Sequence, residues 1–346
     1  MARLLRVLVV ALLVVTGNAV PVGAGETFPG DNGRILFFRY GNVREREGLR
    51  TMKPDGTGRR KVLNRVNVER AEISPDGTRI AYIHEHRRSQ VHTMDIDGSN
   101  RRTLTTGRRA KLDPTWSPDG SQILFTSRRY LYEGGTVLHV VNADGSGRRR
   151  LTTSEDSVAE PTWSPDGERI AYACPTRKGS DICEIGIDGT GQRTLLSLPG
   201  NETQPDYSPD GASILLLAER NPKPKRFYIY PKLYVADIDG SNGRYLTRGK
   251  KLDTLFARWS PDGDRIAFIN SGGFGPSKVK VIDANGDDKR TLDVKHVFDF
   301  IWSPNSNKLT YGPGTVLAVN VNSGRVKKLA GRQRAHVGAT SWQALP

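Results

Sequence analysis

The sequence is poor in cysteine and has no long hydrophobic run, and both absences exclude classes of protein. Two cysteines in 346 residues cannot form a disulfide framework or a cysteine-based zinc cluster. An unbroken apolar run extends from Val7 to Val15, which is too short for a comfortable membrane span. Helical patterning is nearly absent, and no Gly-x-Ser-x-Gly sequence is present to mark a serine hydrolase.

The composition favours a folded chain with many turns. Hydrophobic residues make up 36% of the chain and charged residues 26%, which is enough apolar material for a core. The 37 glycines point to many tight turns. The formal net charge of +15 suggests an anionic partner, such as nucleic acid, anionic glycan or a membrane surface.

The N-terminus has the features of an export signal. Arg3 and Arg6 give a basic start, the apolar run follows, and the small residues at 22–24 resemble a cleavage site. We therefore predict a signal peptide over residues 1–24 and a secreted, periplasmic or cell-envelope protein. We expect no membrane span in the mature chain and no nucleic-acid partner. Retention of the signal as an anchor is the alternative.

An internal repeat decides the expected fold. The sequence Ser-Pro-Asp-Gly occurs five times, and a degenerate copy, Ser-Pro-Asn-Ser, occurs once. The six copies begin at Ser74, Ser117, Ser164, Ser208, Ser260 and Ser303. Proline presets φ, aspartate binds its own backbone and glycine takes positive φ, so each copy is a turn between two strands.

The spacing of the turns predicts a β-propeller. A second turn ending in glycine follows in each unit, so that a unit holds four short strands, and units of about 40–45 residues are typical of propeller blades. The second strand occurs seven times, whereas the first precedes only the last six and recurs at Ser341-Trp342. We therefore predict a seven-bladed, all-β propeller over residues 25–346, closed by pairing the C-terminal strand with the N-terminal blade. Six blades is the alternative.

The Trp-Ser-Pro-Asp-Gly repeats, which begin at Trp116, Trp163 and Trp259, resemble those of the TolB-like β-propeller family, a WD-like repeat family. The resemblance covers nearly all of the chain after residue 24. It implies a propeller fold and a periplasmic role beside other envelope proteins. Oligogalacturonate-lyase-like enzymes, which hold a metal by histidines on a seven-bladed ring, are the catalytic relatives.

We therefore predict a non-enzymatic, rigid scaffold that binds an extracytoplasmic protein or peptide and needs no cofactor or metal. Two alternatives stay open. One is a lyase-like enzyme acting on anionic polysaccharide. The other is electrostatic binding of an anionic glycan or cell-wall polymer.

A first set of candidate binding residues is expected around the central channel. Three positions before the aromatic position of each first strand, the chain carries mostly polar residues, and a ring would place them at one mouth of the channel. They are Arg70, Asp113, Glu160, Gln204, Phe256, Asp299 and Ala339. Three carboxylates and an arginine at one opening suit a cationic peptide or an ion. Polar residues that are merely solvated are the alternative.

A second set lies in the longest connection between a second and a third strand, in the fifth repeat. It contains Lys223, Lys225, Arg226, Phe227, Tyr228 and Tyr230. Basic and aromatic groups together can stack on sugar rings or bind anionic groups. Packing of the aromatic rings on a neighbouring blade is the alternative.

Two other charged groups have structural interpretations. The repeated aspartates each lie in the turn of a different blade, so they are interpreted as turn residues. They are Asp76, Asp119, Asp166, Asp210 and Asp262. Basic runs such as residues 148–150 fall on outer strands and are interpreted as a solvated rim, with a polyanion-binding surface as the alternative.

The histidines and cysteines leave open alternatives. His84, His86 and His92 surround one connection, and His84 and His86 share one strand face, as two metal ligands would. Surface histidines are the alternative. Cys174 and Cys183 end one strand and begin the next, where an antiparallel pair can form a disulfide in an oxidising compartment. Two free thiols are the alternative.

Overall fold

The computed structural model of the chain describes residues 28–40, 48–64, 68–84, 89–128, 135–153, 157–177, 179–219, 231–247, 253–271, 277–294, 297, 299–312, 315–331 and 336–345. Every regular element in these ranges is a β-strand. They contain no helix with the length and apolar character needed to cross a membrane.

The strands form seven antiparallel sheets of four strands each, which are the blades of a ring. Blade 1 contains β1 (Asp31–Tyr40), β2 (Gly48–Met52), β3 (Arg60–Asn64) and the C-terminal strand β28 (His336–Leu345). Blade 2 contains β4 (Val68–Ile73), β5 (Arg79–His84), β6 (Val91–Asp95) and β7 (Arg102–Thr103). Blade 3 contains β8 (Ala110–Trp116), β9 (Gln122–Arg128), β10 (Val137–Asn142) and β11 (Arg149–Arg150). Blade 4 contains β12 (Ala159–Trp163), β13 (Arg169–Pro175), β14 (Ser180–Gly186) and β15 (Arg193–Leu196).

The last three blades repeat the same order. Blade 5 contains β16 (Glu202–Tyr207), β17 (Ser213–Glu219), β18 (Pro231–Asp237) and β19 (Arg244–Tyr245). Blade 6 contains β20 (Asp253–Trp259), β21 (Arg265–Ser271), β22 (Lys278–Asp283) and β23 (Arg290–Thr291). Blade 7 contains β24 (Phe300–Trp302), β25 (Lys308–Tyr311), β26 (Val316–Asn320) and β27 (Val326–Ala330). We name the four strands of a blade a to d. The a strands contact those of neighbouring blades, as β4 contacts β8 and β12 contacts β16, and so surround the axis of the ring.

The C-terminal strand closes the ring. β28 is strand a of blade 1 and pairs antiparallel with β1, with Trp342 opposite Ile35. The Trp342 indole nitrogen donates to the Gly33 carbonyl at 3.2 Å. Ser341 Oγ accepts from the Ile73 amide at 3.1 Å, which ties the closing strand to blade 2. The prediction of seven blades closed by the two termini is confirmed, and the six-bladed alternative is wrong.

The Ser-Pro-Asp-Gly turns join strand a to strand b, and each is held by its own side chains. In blade 2 the Ser74 hydroxyl accepts from the Arg79 amide at 2.9 Å, and Asp76 accepts from the Thr78 amide at 3.0 Å. Gly77 has a φ of +71°, which only a residue without Cβ adopts at little cost. The repeated aspartates therefore act within their turns and do not converge on a substrate.

The apolar core lies between adjacent blades. Between blades 2 and 3, Ile83 packs with Trp116 and Phe125, all of them buried. The Trp116 indole nitrogen also donates to the Glu72 carbonyl of the preceding blade at 3.2 Å. Trp116 thus adds apolar contact and also bonds across the blade boundary.

Candidate functional site: the channel mouth

Strand a carries a β-bulge in the blades that supply the candidate mouth residues. The pairing register shifts at Asp113, Glu160 and Gln204, whose φ values are +55°, +52° and +53°. Each of the three precedes a proline in the sequence. A residue before proline avoids the right-handed helical region, and the proline itself gives no amide hydrogen to the sheet, so the ladder breaks here. The bulges lie at the start of strand a, on the side of the b–c connections.

The bulge residues contact one another across blade boundaries. Arg70 Nε of blade 2 lies 3.2 Å from Asp113 Oδ1 of blade 3. The Gln204 amide of blade 5 donates to Glu160 Oε2 of blade 4 at 2.8 Å, and its side-chain Nε2 donates to the Leu255 carbonyl of blade 6 at 3.1 Å. The structure therefore brings four of the sequence-predicted residues together along one side of the mouth.

Glu160 is the most unusual carboxylate of the mouth. Glu160 is exposed to solvent, although many protein atoms lie around its carboxylate. Desolvation raises the pKa of Glu160, and Asp113 adds to the increase, while the Gln204 amide, Arg258 and Arg70 oppose it. One carboxylate oxygen, Oε2, accepts from the Gln204 amide.

A second row of polar groups, missed by the sequence analysis, lies one residue before the aromatic position of strand a. Glu72 Oε2 accepts from the Trp116 amide of the next blade at 3.1 Å. Asp206 Oδ2 accepts from the Trp259 amide of the next blade at 2.8 Å. Ser341 makes the same bond between blades 1 and 2. These residues could have been recognised in the sequence by their fixed position, one residue before the aromatic position of strand a.

Asp206 and Arg258 form a second charged pair near the axis. Arg258 Nε lies 3.9 Å from Asp206 Oδ1, and its guanidinium carbon lies 4.6 Å from the centre of the Phe256 ring. Burial raises the pKa of Asp206 to about 6, although Arg258 and the Trp259 amide lower it. Phe256, expected at the mouth, is itself buried and packs against Phe300 with ring centres 5.1 Å apart.

The remaining candidates have different placements. Asp299 Oδ1 accepts from the Phe300 amide at 2.7 Å, so part of its carboxylate is used locally. The side chain of Ala339 is outside the described part of the structure. The long fifth-repeat connection, with Lys223, Lys225, Arg226, Phe227, Tyr228 and Tyr230, also lies outside the described residues.

The histidines of blade 2 are close but do not form a metal centre within the described residues. His84 and His92 have ring centres 6.4 Å apart, and His92 stacks on Tyr82 at 5.2 Å. Desolvation, with a smaller effect of His84, lowers the pKa of His92. His86 is not among the described residues. In the described ranges no three histidine, cysteine, aspartate or glutamate side chains are arranged to hold a metal ion.

Cys174 and Cys183 are joined as a disulfide across the b–c hairpin of blade 4, with Cα atoms 5.8 Å apart. Cys174 pairs with Asp181, and Cys183 pairs with Tyr172, so the two cysteines are diagonal neighbours on one face. In blade 2 the same two diagonal positions of strands b and c are occupied by His84 and His92.

A family model described as the TolB beta propeller domain matches residues 49–165 and 77–342, which is more than half of the chain. The chain belongs to the TolB β-propeller family. The Tol-Pal system protein TolB of Jannaschia sp. (strain CCS1) is 33% identical to it over 109 residues, 29% of this chain and 24% of that protein. The match therefore spans only about a quarter of that curated TolB.

Two solved structures show the likeness of this TolB-family propeller in three dimensions. TolB from Acinetobacter baumannii has a TM-score of 0.58 at 16% identity, covering 90% of this chain and 83% of that one. An oligogalacturonate lyase from Vibrio parahaemolyticus has a TM-score of 0.62 at 11% identity, covering 88% of this chain and 87% of that one. At these identities the likeness shows the fold alone.

Proposed function

We propose that this TolB-family propeller is exported and acts as a rigid, non-catalytic binding platform for an extracytoplasmic protein or peptide. The partner docks at the channel mouth. The observation that carries the proposal is the exposed carboxylate of Glu160, which has one oxygen fixed by the Gln204 amide of the next blade and interacts electrostatically with Arg258, Asp113 and Arg70. Such a group is prepared to accept a hydrogen bond from a ligand that displaces water.

The charges of the mouth favour a polar or cationic peptide segment as the partner. The carboxylates Asp113, Glu160 and Asp206 face the two guanidinium groups of Arg70 and Arg258. Because Asp113 and Arg70 already pair, Glu160 is the carboxylate left for a cationic group of the partner. A propeller is suited to this role because its rigid strands hold the mouth residues without much loss of entropy on binding.

Export is supported by two features of the chain. Residues 1–24 have the basic start, apolar run and small-residue end of a signal peptide. The bond between Cys174 and Cys183 is of a kind that persists in oxidising compartments. We place the function in the periplasm or outside the cell on these grounds.

The test is capture of envelope and medium proteins with residues 25–346 and two charge-neutral variants. Glu160→Gln keeps an acceptor for the Gln204 amide and removes the charge at the mouth. Glu168→Gln removes an exposed carboxylate of the same blade from the a–b turn at the opposite side. We expect one protein to bind wild type and Glu168→Gln, and to bind Glu160→Gln at least tenfold more weakly.

Two results would contradict this proposal. Equal retention by all three baits would place the binding surface away from the mouth. Capture of anionic polymer alone, released by moderate salt, would make the basic surface the functional one.

A further inference from the structure

Blade 3 carries a cation at a position that is valine in three other blades and a buried polar residue, Glu202 or Thr254, in blades 5 and 6. Five residues before the aromatic position of strand a, blades 2, 4 and 7 have Val68, Val158 and Val297, each at most 2% exposed. Blade 3 has Lys111 there, and it is 4% exposed. A buried lysine in a valine position is costly, because the ammonium group loses its hydration.

The neighbours of Lys111 on the same face are also polar. Ser127 lies directly opposite Lys111 in the sheet. Ser127 Oγ is 2.8 Å from His139 Nε2, and the His139 ring stacks on Phe125 with centres 5.1 Å apart. Arg150 lies opposite His139 on the outer strand. A row of hydrogen-bonding groups therefore crosses the whole blade from strand a to strand d.

Lys111 and one further cation, Arg148, bond to the segment that precedes strand a. The Lys111 ammonium donates to the Arg109 carbonyl at 2.6 Å, and Arg148 Nη1 donates to the Thr106 carbonyl at 3.3 Å. Both carbonyls belong to the segment that connects blade 2 to blade 3. Gly107 of that segment has no atom within 4 Å of the place a Cβ would occupy, so the segment is open on its outer side.

Among the described residues, the cations of this row have no carboxylate partner. None of the ion pairs among the described residues includes Arg109, Lys111, Arg148 or Arg150. Burial, then Arg148 and Arg109, lowers the pKa of Lys111 to about 8. Burial, then Arg148 and Lys111, lowers the pKa of His139 to about 4. Like charges in partly desolvated surroundings reduce stability, so packing alone does not account for the row.

We propose that this row binds a phosphate group between blades 2 and 3. The basic row is defined as Arg109, Lys111, Ser127, His139, Arg148 and Arg150. Ammonium, guanidinium, hydroxyl and neutral imidazole groups all offer hydrogens, and a tetrahedral oxyanion offers only acceptors. Its charge offsets the repulsion among the cations. The phosphate can be a free ion or part of a phosphodiester polymer, and the two sources are separated by the test.

The test compares binding of inorganic phosphate and of poly(glycerol phosphate) by calorimetry, with polygalacturonate as a polyanion without phosphate. Lys111→Val installs the residue of blades 2, 4 and 7 and is expected to fold with equal or higher Tm. Lys61→Gln removes the same charge from the exposed edge of blade 1. We expect Lys111→Val to weaken phosphate binding at least tenfold and Lys61→Gln less than twofold. Binding of the polymer alone would assign the site to a phosphodiester chain.

Proton uptake on binding is a second measurement, and it distinguishes binding at Lys111 from nonspecific attraction of anions to a basic surface. The lowered pKa of Lys111 leaves part of the lysine neutral at pH 8.5, and a bound anion favours the ammonium form, so binding should take up a fraction of a proton per site. The uptake is measured from the enthalpy in two buffers of different ionisation enthalpy and should vanish in Lys111→Val. If that variant does not fold, Arg148→Gln, at an exposed position, should weaken binding at least threefold. Unchanged affinity in the folded variants, absent proton uptake, or equal binding of polygalacturonate would each overturn the proposal.

Discussion

Closure of the ring by β28 makes a strong prediction about Trp342. Its side chain is 2% exposed and packs with Ile35, Phe37 and Met52 of blade 1 and with Leu329 of blade 7. Truncation of a buried tryptophan to alanine costs about 3–5 kcal/mol, and the lost indole hydrogen bond adds about 1 kcal/mol. We expect Trp342→Ala to lower the free energy of unfolding by about 4–6 kcal/mol, measured by urea denaturation.

The closing role can be separated from the loss of a core side chain. Trp116→Ala removes a buried tryptophan from blade 3 and should cost a similar amount without freeing a chain terminus. Only Trp342→Ala should also expose the C-terminal strand to limited proteolysis, because that strand is held by pairing with the N-terminal blade. Trp342→Phe should cost about 1–2 kcal/mol. A cost below about 1 kcal/mol for Trp342→Ala, or no change in proteolysis, would refute the argument that this strand closes the ring.

Three further predictions concern single bonds and charges. Replacing Cys174 and Cys183 by serine should lower the free energy of unfolding by about 2–3 kcal/mol, and thiol titration before reduction should find no free thiol. Between pH 6.5 and pH 4 wild type should lose roughly 1–3 kcal/mol of stability relative to His139→Gln, because His139 binds its proton in the unfolded chain before it does in the folded one, whereas buried carboxyls with a raised pKa, such as Asp206, act in the opposite sense in both proteins. An unchanged pH profile in that variant would contradict the assignment to His139. Asp206→Ala should cost about 1–3 kcal/mol because the Trp259 amide loses its acceptor, whereas Asp206→Asn should cost less, and equal costs by urea denaturation would contradict this role.

The placement of the mouth residues was only partly predictable. Their common position in the repeat, three residues before the aromatic position of strand a, predicted that they lie at one mouth of the channel. The Gln204 bond to Glu160 and the inward packing of Phe256 were not predictable, because they depend on how one blade sits against the next.

The contacts of the buried carboxylates also could not be predicted from the local sequence. Glu72 binds the amide of Trp116, 44 residues away, and Asp206 binds that of Trp259, 53 residues away. Strand propensity and turn chemistry describe only a few neighbouring residues, so no local pattern distinguishes these carboxylates from solvated ones.

The repeats in the sequence predict the four-stranded blade, a ring of seven blades and the closure of that ring by the C-terminal strand. Turn residues, strand alternation and the order of strands within a repeat are local properties, and their repetition leaves one way to pair the two termini. The tertiary structure decided which polar groups meet. Bonds across blade boundaries, the raised pKa of Glu160 and the cations gathered around Lys111 arise only when blades distant in sequence are packed side by side.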